Sequence, residues 1–585
     1  MGIDLGTQSV RALAVTDDGH VLGRGSAPLT GRRDGHRHEQ LPSDWWKGVG
    51  AAVRRTLRTL SAARVRGVAV CATSGTVLLT DSRGTPLTPA LMYDDGRAGE
   101  EARDAQEAGE EVWRSLGHRI QPTWALAKLL WLVRSERGGP GGDGGGRGAP
   151  GGGGGGRGAP GGGGGAAGSG ESGSGASGFG ASGSGTSGAG GSGAGASGFK
   201  GARVCHQADF ITTRLVGRPV ATDSSHALKT GYDLRTRTWP TAVHDRLGLS
   251  GLDFPAVVLP GTPLGTVCAE AAEATGLAEG TPVIAGMTDG CAAQLGSGAW
   301  GVGRWNTVLG TTLVLKGVTD TPLHDPAGVL YNHLSPDGHW LPGGASSVGA
   351  GALTQAFPGA DLAQLDRLAA AHEPAGVVAY PLVSRGERFP FLAADAEPFV
   401  LGRPADDGDH HAALLQGVAL VERLCLAYVR FLGAPAHSPI AFTGGATSSP
   451  YWNQLRADIL GLTATIPEHT DSALGMAVLA AHGVRTHEGR AHGAQAHGAQ
   501  AHEGQAHGGQ AHGGQAHGAA PHGASAYGES TLLSTVRSMV RVRTILDPRP
   551  QVTPRFHEPF VTLVDALERR GWLPSETAAY AREHG

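Results

Sequence analysis

The stretch from Ile284 to Ala299 puts a single carboxylate where proton transfer could be done. Pro282 to Ala285 is an apolar run that reads as a buried strand. Gly286 and Thr288 then lead to Asp289, and Gly290 to Leu295 reads as a helix of small residues. An acid at such a strand-to-helix switch can accept a proton from a substrate hydroxyl, or it can cap the helix. Two Gly-Thr turns, Gly6-Thr7 and Gly310-Thr311, each separate two apolar runs, and Thr443-Gly444-Gly445-Ala446 precedes a helical pattern. Glycine turns let backbone N–H groups approach a phosphate closely. No Gly-x-x-x-x-Gly-Lys-Ser/Thr loop occurs, so the chain is not a P-loop protein. Asp4 stands two residues before the first Gly-Thr turn, where a carboxylate could hold Mg²⁺, directly or through water, against bound phosphates. The duplicated turn with the Gly-Gly turn describes a nucleotide held between two related domains.

The elements that must carry these residues begin at once. Met1 to Leu5 and Val10 to Val15 read as strands joined through Gly6 to Ser9, and Asp17 to His20 turns into Val21. Met1 lies three residues before Asp4, so either this strand is short at its edge or the true start lies upstream. Trp45 to Leu60 has amphipathic spacing and Val65 to Cys71 reads as a buried strand, followed by Thr73-Ser74-Gly75. Thr123 to Val133 reads as a helix carrying Lys128. Arg304 to Leu309 and Leu313 to Lys316 repeat the opening strand, turn, strand unit. Ile440 to Phe442 reads as a strand, Ser449 to Leu460 and Ser472 to His482 as helices, and Phe560 to Arg570 as a closing helix.

Two tracts stand apart. Residues 138–199 are almost entirely Gly, Ala and Ser, and residues 487–526 carry an Ala-His-Gly repeat with a period of five. Neither has an apolar face to offset chain entropy, so both are expected to be disordered insertions. The chain has 585 residues and 98 glycines, many in the first tract, so the foldable part is that of two domains. Its net charge of −4 gives no basic field for nucleic acid or an anionic membrane. Five scattered cysteines without Cys-x-x-Cys spacing fit a reducing compartment and no structural zinc. With no basic leader and no run of about 18 apolar residues, the sequence reads as cytoplasmic.

Taken together, Ile3-Asp-Leu-Gly-Thr-Gln8, Tyr93-Asp-Asp-Gly-Arg97, Gly286-Met-Thr-Asp289, Leu309-Gly-Thr-Thr312 and Thr443-Gly-Gly-Ala446 resemble the FGGY carbohydrate kinase family. Further runs resemble its D-ribulokinase, xylulokinase-like branch: Ala72 to Leu79, His226 to Tyr232, Gly343 to Ser346, and Tyr380 to Pro390. The resemblance implies an α/β fold of two actin-like, ribonuclease-H-like domains, residues 1–297 and 298–570, with ATP and sugar in the cleft between them.

It also implies roles. Asp289 resembles the catalytic base and a sugar contact. Asp4 resembles the Mg²⁺-linked acid, also near the sugar, with Gly6, Thr7 and Gln8 in the first ATP-binding hairpin. Gly310 and Thr311 match the second hairpin, and Gly444 and Gly445 the adenosine-binding turn. Ser74 lies where this branch has a ketose-contacting serine, where bacterial xylulokinases carry His and glycerol kinases have an Arg-Glu pair nearby.

The expected activity is ATP- and Mg²⁺-dependent phosphorylation of a ketopentose at its terminal hydroxyl, D-ribulose first, by a monomer or homodimer. The rivals are a D-xylulose or other polyol kinase, and an actin-like nucleotide-binding regulator without transfer. Asp94, Asp95 and Arg97 read as a solvated charged face or as neighbours of the sugar. Lys128 reads as structural, and Tyr380 to Pro390 has no assigned chemistry.

Overall fold

The computed structural model describes residues 1–137, 199–503 and 531–585. In it, the opening hairpin and its repeat each form the centre of a sheet. The first sheet contains β1 (Gly2–Leu5), β2 (Ser9–Val15), β3 (Val21–Pro28), β4 (Val68–Ala72), β5 (Pro263–Thr266) and β6 (Pro282–Ile284), in the order β5-β6-β4-β1-β2-β3. β1, β4 and β6 run parallel, and β2 and β5 are antiparallel to their neighbours. The second sheet contains β7 (Trp305–Leu309), β8 (Leu313–Gly317), β9 (Tyr331–Leu334), β10 (Trp340–Ala345), β11 (Ile440–Thr443), β12 (Ala464–Pro467) and β13 (Val542–Leu546), in the order β9-β10-β8-β7-β11-β12-β13. Here β7, β11 and β12 are the parallel set, while β8 and β13 are antiparallel to theirs. The two halves are therefore one topology used twice, as the repeated Gly-Thr unit requires.

The parallel strands are almost entirely buried because both faces are covered. On the first sheet α1 (Pro42–Thr56) packs over β2 and β3. α1 starts earlier than the periodicity predicts because Pro42 supplies a pre-set first turn, and it tightens into a short 3₁₀ segment, Leu57–Thr59. The helix α3 (Asp407–Phe431) is long and apolar enough to cross a membrane, but its residues are enclosed in the core of the second half.

The helices after the last parallel strand of each half reach across to the other. α2 (Asp289–Gly296) follows β6 and packs on β7 and β8, whereas α4 (Ser472–Glu503) follows β12 and packs on β1, β2 and β4. α2 and α4 touch each other as closely as backbones allow: a Cβ on Gly475 would lie 2.0 Å from the Ala292 carbonyl oxygen. α4 was expected to end near His482. It continues through Glu503, so the start of the His-rich tract prolongs the helix, and the remainder of that tract lies outside the described residues, as do residues 138–198 of the Gly-rich one. A second sheet in the first half, which includes Val77–Thr80 and Arg203–His206, forms the floor beyond Ser74.

Candidate active site

Three of the predicted residues share one edge of the first sheet. Leu5 of β1 pairs with Ala72 of β4, and Ala72 bridges Thr288 just past β6. Asp4, Ser74 and Asp289 thus stand at the carboxyl ends of three adjacent parallel strands, the place where open α/β sheets hold ligands. In the second half the ends of β7 and β11 carry Gly310-Thr311 and Gly444-Gly445 in the matching positions.

Asp4 is 2% exposed. Arg11 is opposite it in the hairpin register and places Nη2 2.7 Å from its Oδ2 and Nη1 2.9 Å from Oδ1 of Asp471. The Cys71 thiol lies 3.6 Å from the other Asp4 oxygen. Burial raises the Asp4 pKa to about 6. Arg11 opposes that rise, and the nearby Asp289 carboxylate adds to it.

Asp289 opens α2, where the helix dipole favours its charge. The Gly290 N–H donates to its Oδ1 at 2.7 Å, and Ser472 at the start of α4 donates to its carbonyl oxygen at 3.3 Å. Burial raises its pKa, against the Gly290 N–H and the positive fields of Lys229, His226 and Lys316. The backbone just before it is pinned as well. The Thr288 N–H donates to Ser225 Oγ at 2.8 Å, Ser225 donates to Asp223 at 2.6 Å, and Asp223 holds His226 Nδ1 at 2.5 Å.

Ser74 Oγ is a buried atom without a hydrogen-bond partner, beside Thr73, whose hydroxyl donates to Gln207 at 2.6 Å. The first Gly-Thr turn is closed by the Gly6 N–H donating to Ser9 O at 3.1 Å, and Gln40 donates to Thr7 O at 2.7 Å; Gln8 is exposed. The second turn is tied through its carbonyls, Gly310 O accepting from Ala350 and Thr311 O from Gly351. Gly444 has φ +87°, and a Cβ there would lie 2.5 Å from Leu309 O, so only glycine lets β7 and this turn come together.

The Gly444-Gly445 turn borders two cavities. One, about 570 Å³, is largely apolar and includes Thr354, Ala446, Pro450 and Trp452, which suits a flat aromatic base. The other, about 460 Å³, is polar and includes Arg11, Thr447, Asp471, Ser472 and Arg543, which suits phosphates. A further cavity of about 260 Å³, beside Val15, Leu60 and Val484, contains none of the predicted residues. Among the described residues no group of three or more His, Cys, Asp or Glu could hold a metal by itself. Asp4, paired with an Arg11 that lines the polar cavity, fits Mg²⁺ that arrives with nucleotide phosphates, since Mg²⁺ needs only one or two carboxylates in that setting.

Several residues here were not predicted. Arg11 was legible in principle, because closing the hairpin at Leu5 and Val10 puts it opposite Asp4. Asp471, Lys229 and Lys316 reach the site only through tertiary packing. The charged run Tyr93 to Arg97 is no solvated face: Asp95 is fully buried and grips Arg97 Nη2 at 2.7 Å. Lys128 is structural, buried with Nζ donating to Met92 O at 2.7 Å, and burial lowers its pKa to about 7. In the Tyr380 to Pro390 run, buried Glu387 accepts from Ser346 Oγ, the Ser347 N–H and Tyr380 OH, locking two of the recognised runs together.

Residues 1–139 and 200–296 match the N-terminal domain of the FGGY family of carbohydrate kinases, and residues 305–484 match its C-terminal domain. The xylulose kinase of Escherichia coli is 24% identical over 82% of this chain and 89% of its own length. The gluconokinase of Bacillus subtilis is 24% identical over 82% and 87%. The crystal structure of xylulose kinase from Rhodospirillum rubrum superposes with a TM-score of 0.69 at 23% identity, covering 97% of this chain and 98% of that one.

Proposed function

Because the chain belongs to the FGGY family of carbohydrate kinases, ATP-using phosphotransferases that act on a sugar hydroxyl, we propose that it phosphorylates the terminal hydroxyl of a ketopentose, D-ribulose to D-ribulose 5-phosphate. The domain boundary is put at residues 297 and 298, between the two matched ranges. The observation that carries the reading is the alignment of Asp4, Ser74 and Asp289 on three neighbouring strand ends, with Asp289 braced from the other half by Ser472.

In this reading Asp289 accepts the proton of the terminal hydroxyl as that oxygen attacks the γ-phosphorus, and ADP leaves with the bridging oxygen's electron pair. Phosphoryl transfer asks mainly for alignment and charge neutralisation. Arg11 holds Asp4 in place and presents its own charge to the polar cavity. The Gly6-Thr7-Gln8 and Gly310-Thr311 turns offer the backbone N–H groups of Thr7, Gln8 and Thr311 to the phosphates, those of Gly6 and Gly310 being spent within the turns, and Gly444 with Gly445 bounds the base and ribose. Asp4 would hold Mg²⁺, directly or through water; when bound, that ion neutralises charge on the nucleotide's phosphates. Closing the cleft keeps water from competing as acceptor.

The substrate is argued from Ser74, a small side chain where bacterial xylulokinases carry His, whose hydroxyl is an unused donor for a ketose oxygen. A second reading, phosphorylation of D-xylulose, is favoured by the relatives with that name. Coupled ADP release across ketopentoses and polyols separates the two. A kcat/KM for D-ribulose at least tenfold above that for D-xylulose is expected, and the reverse order would favour the second reading. ATP hydrolysis that ignores added sugar would point instead to a nucleotide switch.

A further inference from the structure

Lys229 sits on a 3₁₀ turn, Leu228–Thr230, directly after the short helix whose cap, Asp223, holds Ser225 and His226. Its stem passes over Gly75, where a Cβ would lie 3.2 Å from Lys229 Cδ, so the glycine after Ser74 leaves the lysine its path. Its ammonium ends 3.4 Å from the Ser74 carbonyl oxygen and 5.5 Å from the ring centre of Tyr331, a residue of β9 in the other half. Lys229 therefore lies between the two halves, next to the predicted sugar contact, and its positive field reaches Asp289. One long hydrogen bond occupies at most one of the three donors an ammonium carries. Ser74 Oγ beside it, and Nε2 of His226, whose charge also reaches Asp289, are both buried without a hydrogen-bond partner. A half-buried ammonium with donors to spare, beside polar atoms with nothing to bond, marks a place for an oxygen-rich ligand.

We propose that Lys229 selects ketoses, donating to the sugar's carbonyl oxygen while Asp289 faces the terminal hydroxyl. The inference rests on the kinase reading and sharpens it. An ammonium can only donate and a carbonyl can only accept, so that pairing is unambiguous. A polyol hydroxyl at the same place is the poorer acceptor and brings a hydrogen of its own.

The test uses the full chain and D-ribulose against ribitol, its reduced form. Binding is measured calorimetrically without nucleotide, and ADP release with it. Wild type is expected to bind D-ribulose about tenfold more tightly than ribitol, as a charged hydrogen bond allows. Lys229→Met should bring that ratio to about one by weakening D-ribulose binding, with the KM for ATP unchanged within about twofold; Lys229→Arg should recover part of the ratio. If the Met variant does not fold, Lys229→Gln reads the same ratio. The proposal is overturned if the variant keeps the ketose preference, if both sugars weaken by one factor, or if wild type binds no ketopentose. Sugar binding that responds to Lys229 without any sugar-dependent ADP release would leave this inference standing and sink phosphotransfer.

Discussion

Asp4 and Asp289 are acids whose burial in the fold disfavours their charged forms, and that cost has a readable consequence. Burial raises Asp4 to about 6, with the Asp289 carboxylate adding to the rise, and burial raises Asp289 as well. With both needed ionised, kcat/KM should fall on the acid side near pH 6 and not near pH 4; a profile flat down to pH 5 would remove the pair from the free enzyme's chemistry. The same shift bears on stability. A carboxyl raised in the folded state favours folding most below its unfolded pKa, and that favour is lost as pH rises through about 6. Asp4→Asn should therefore abolish activity and yet stabilise the protein at pH 8 by about 1–3 kcal/mol, read by urea denaturation. Loss of stability there would mean that pairing with Arg11 outweighs burial.

At the scale of elements, the repeated hairpin and the exchanged helices set where those acids go. Gly475 is the point on which α2 and α4 touch, its missing Cβ 2.0 Å from Ala292 O. Gly475→Ala should cost about 1–3 kcal/mol in thermal unfolding and lower kcat, because moving α2 moves Asp289; unchanged turnover would uncouple the helix contact from the base. This scale also divides what could be read in the chain from what could not. The strands around Asp4, Asp289, Gly310 and Gly444 were legible because apolar runs stop at glycine turns, and the repeat announced two related sheets. Lengths were less so: α4 runs on past His482 into a tract whose recurring glycines argue against helix, and Ser575–His584 adds a helix that no pattern drew attention to. Arg11 could have been found from hairpin register. Lys229, Asp471 and Lys316 come from turns and strands far from Asp289 in sequence, and only the assembled fold makes them neighbours. Likewise the burial of Asp95 with Arg97 depends on the enclosing His38 backbone, which composition does not announce.

For the molecule as a whole, the family match stops at residue 139 and resumes at 200, so the Gly-rich tract interrupts the matched domain. Replacing residues 138–198 by a short Gly-Ser linker should leave kcat/KM within about twofold and the melting temperature unchanged; a large fall in either would give that tract a role. The duplicated sheets put one Gly-Thr turn on each half, Asp4, Ser74 and Asp289 on the first and Gly444-Gly445 on the second, with Arg11–Asp471, Asp289–Ser472 and Lys229–Tyr331 joining the halves. Everything proposed for function depends on Asp289 serving as the base at that junction. The most direct test is sugar-dependent ADP release by wild type and Asp289→Asn at saturating D-ribulose and ATP. A drop of about a hundredfold or more, with the melting temperature unchanged, is the expected result; turnover close to wild type in the variant would contradict it.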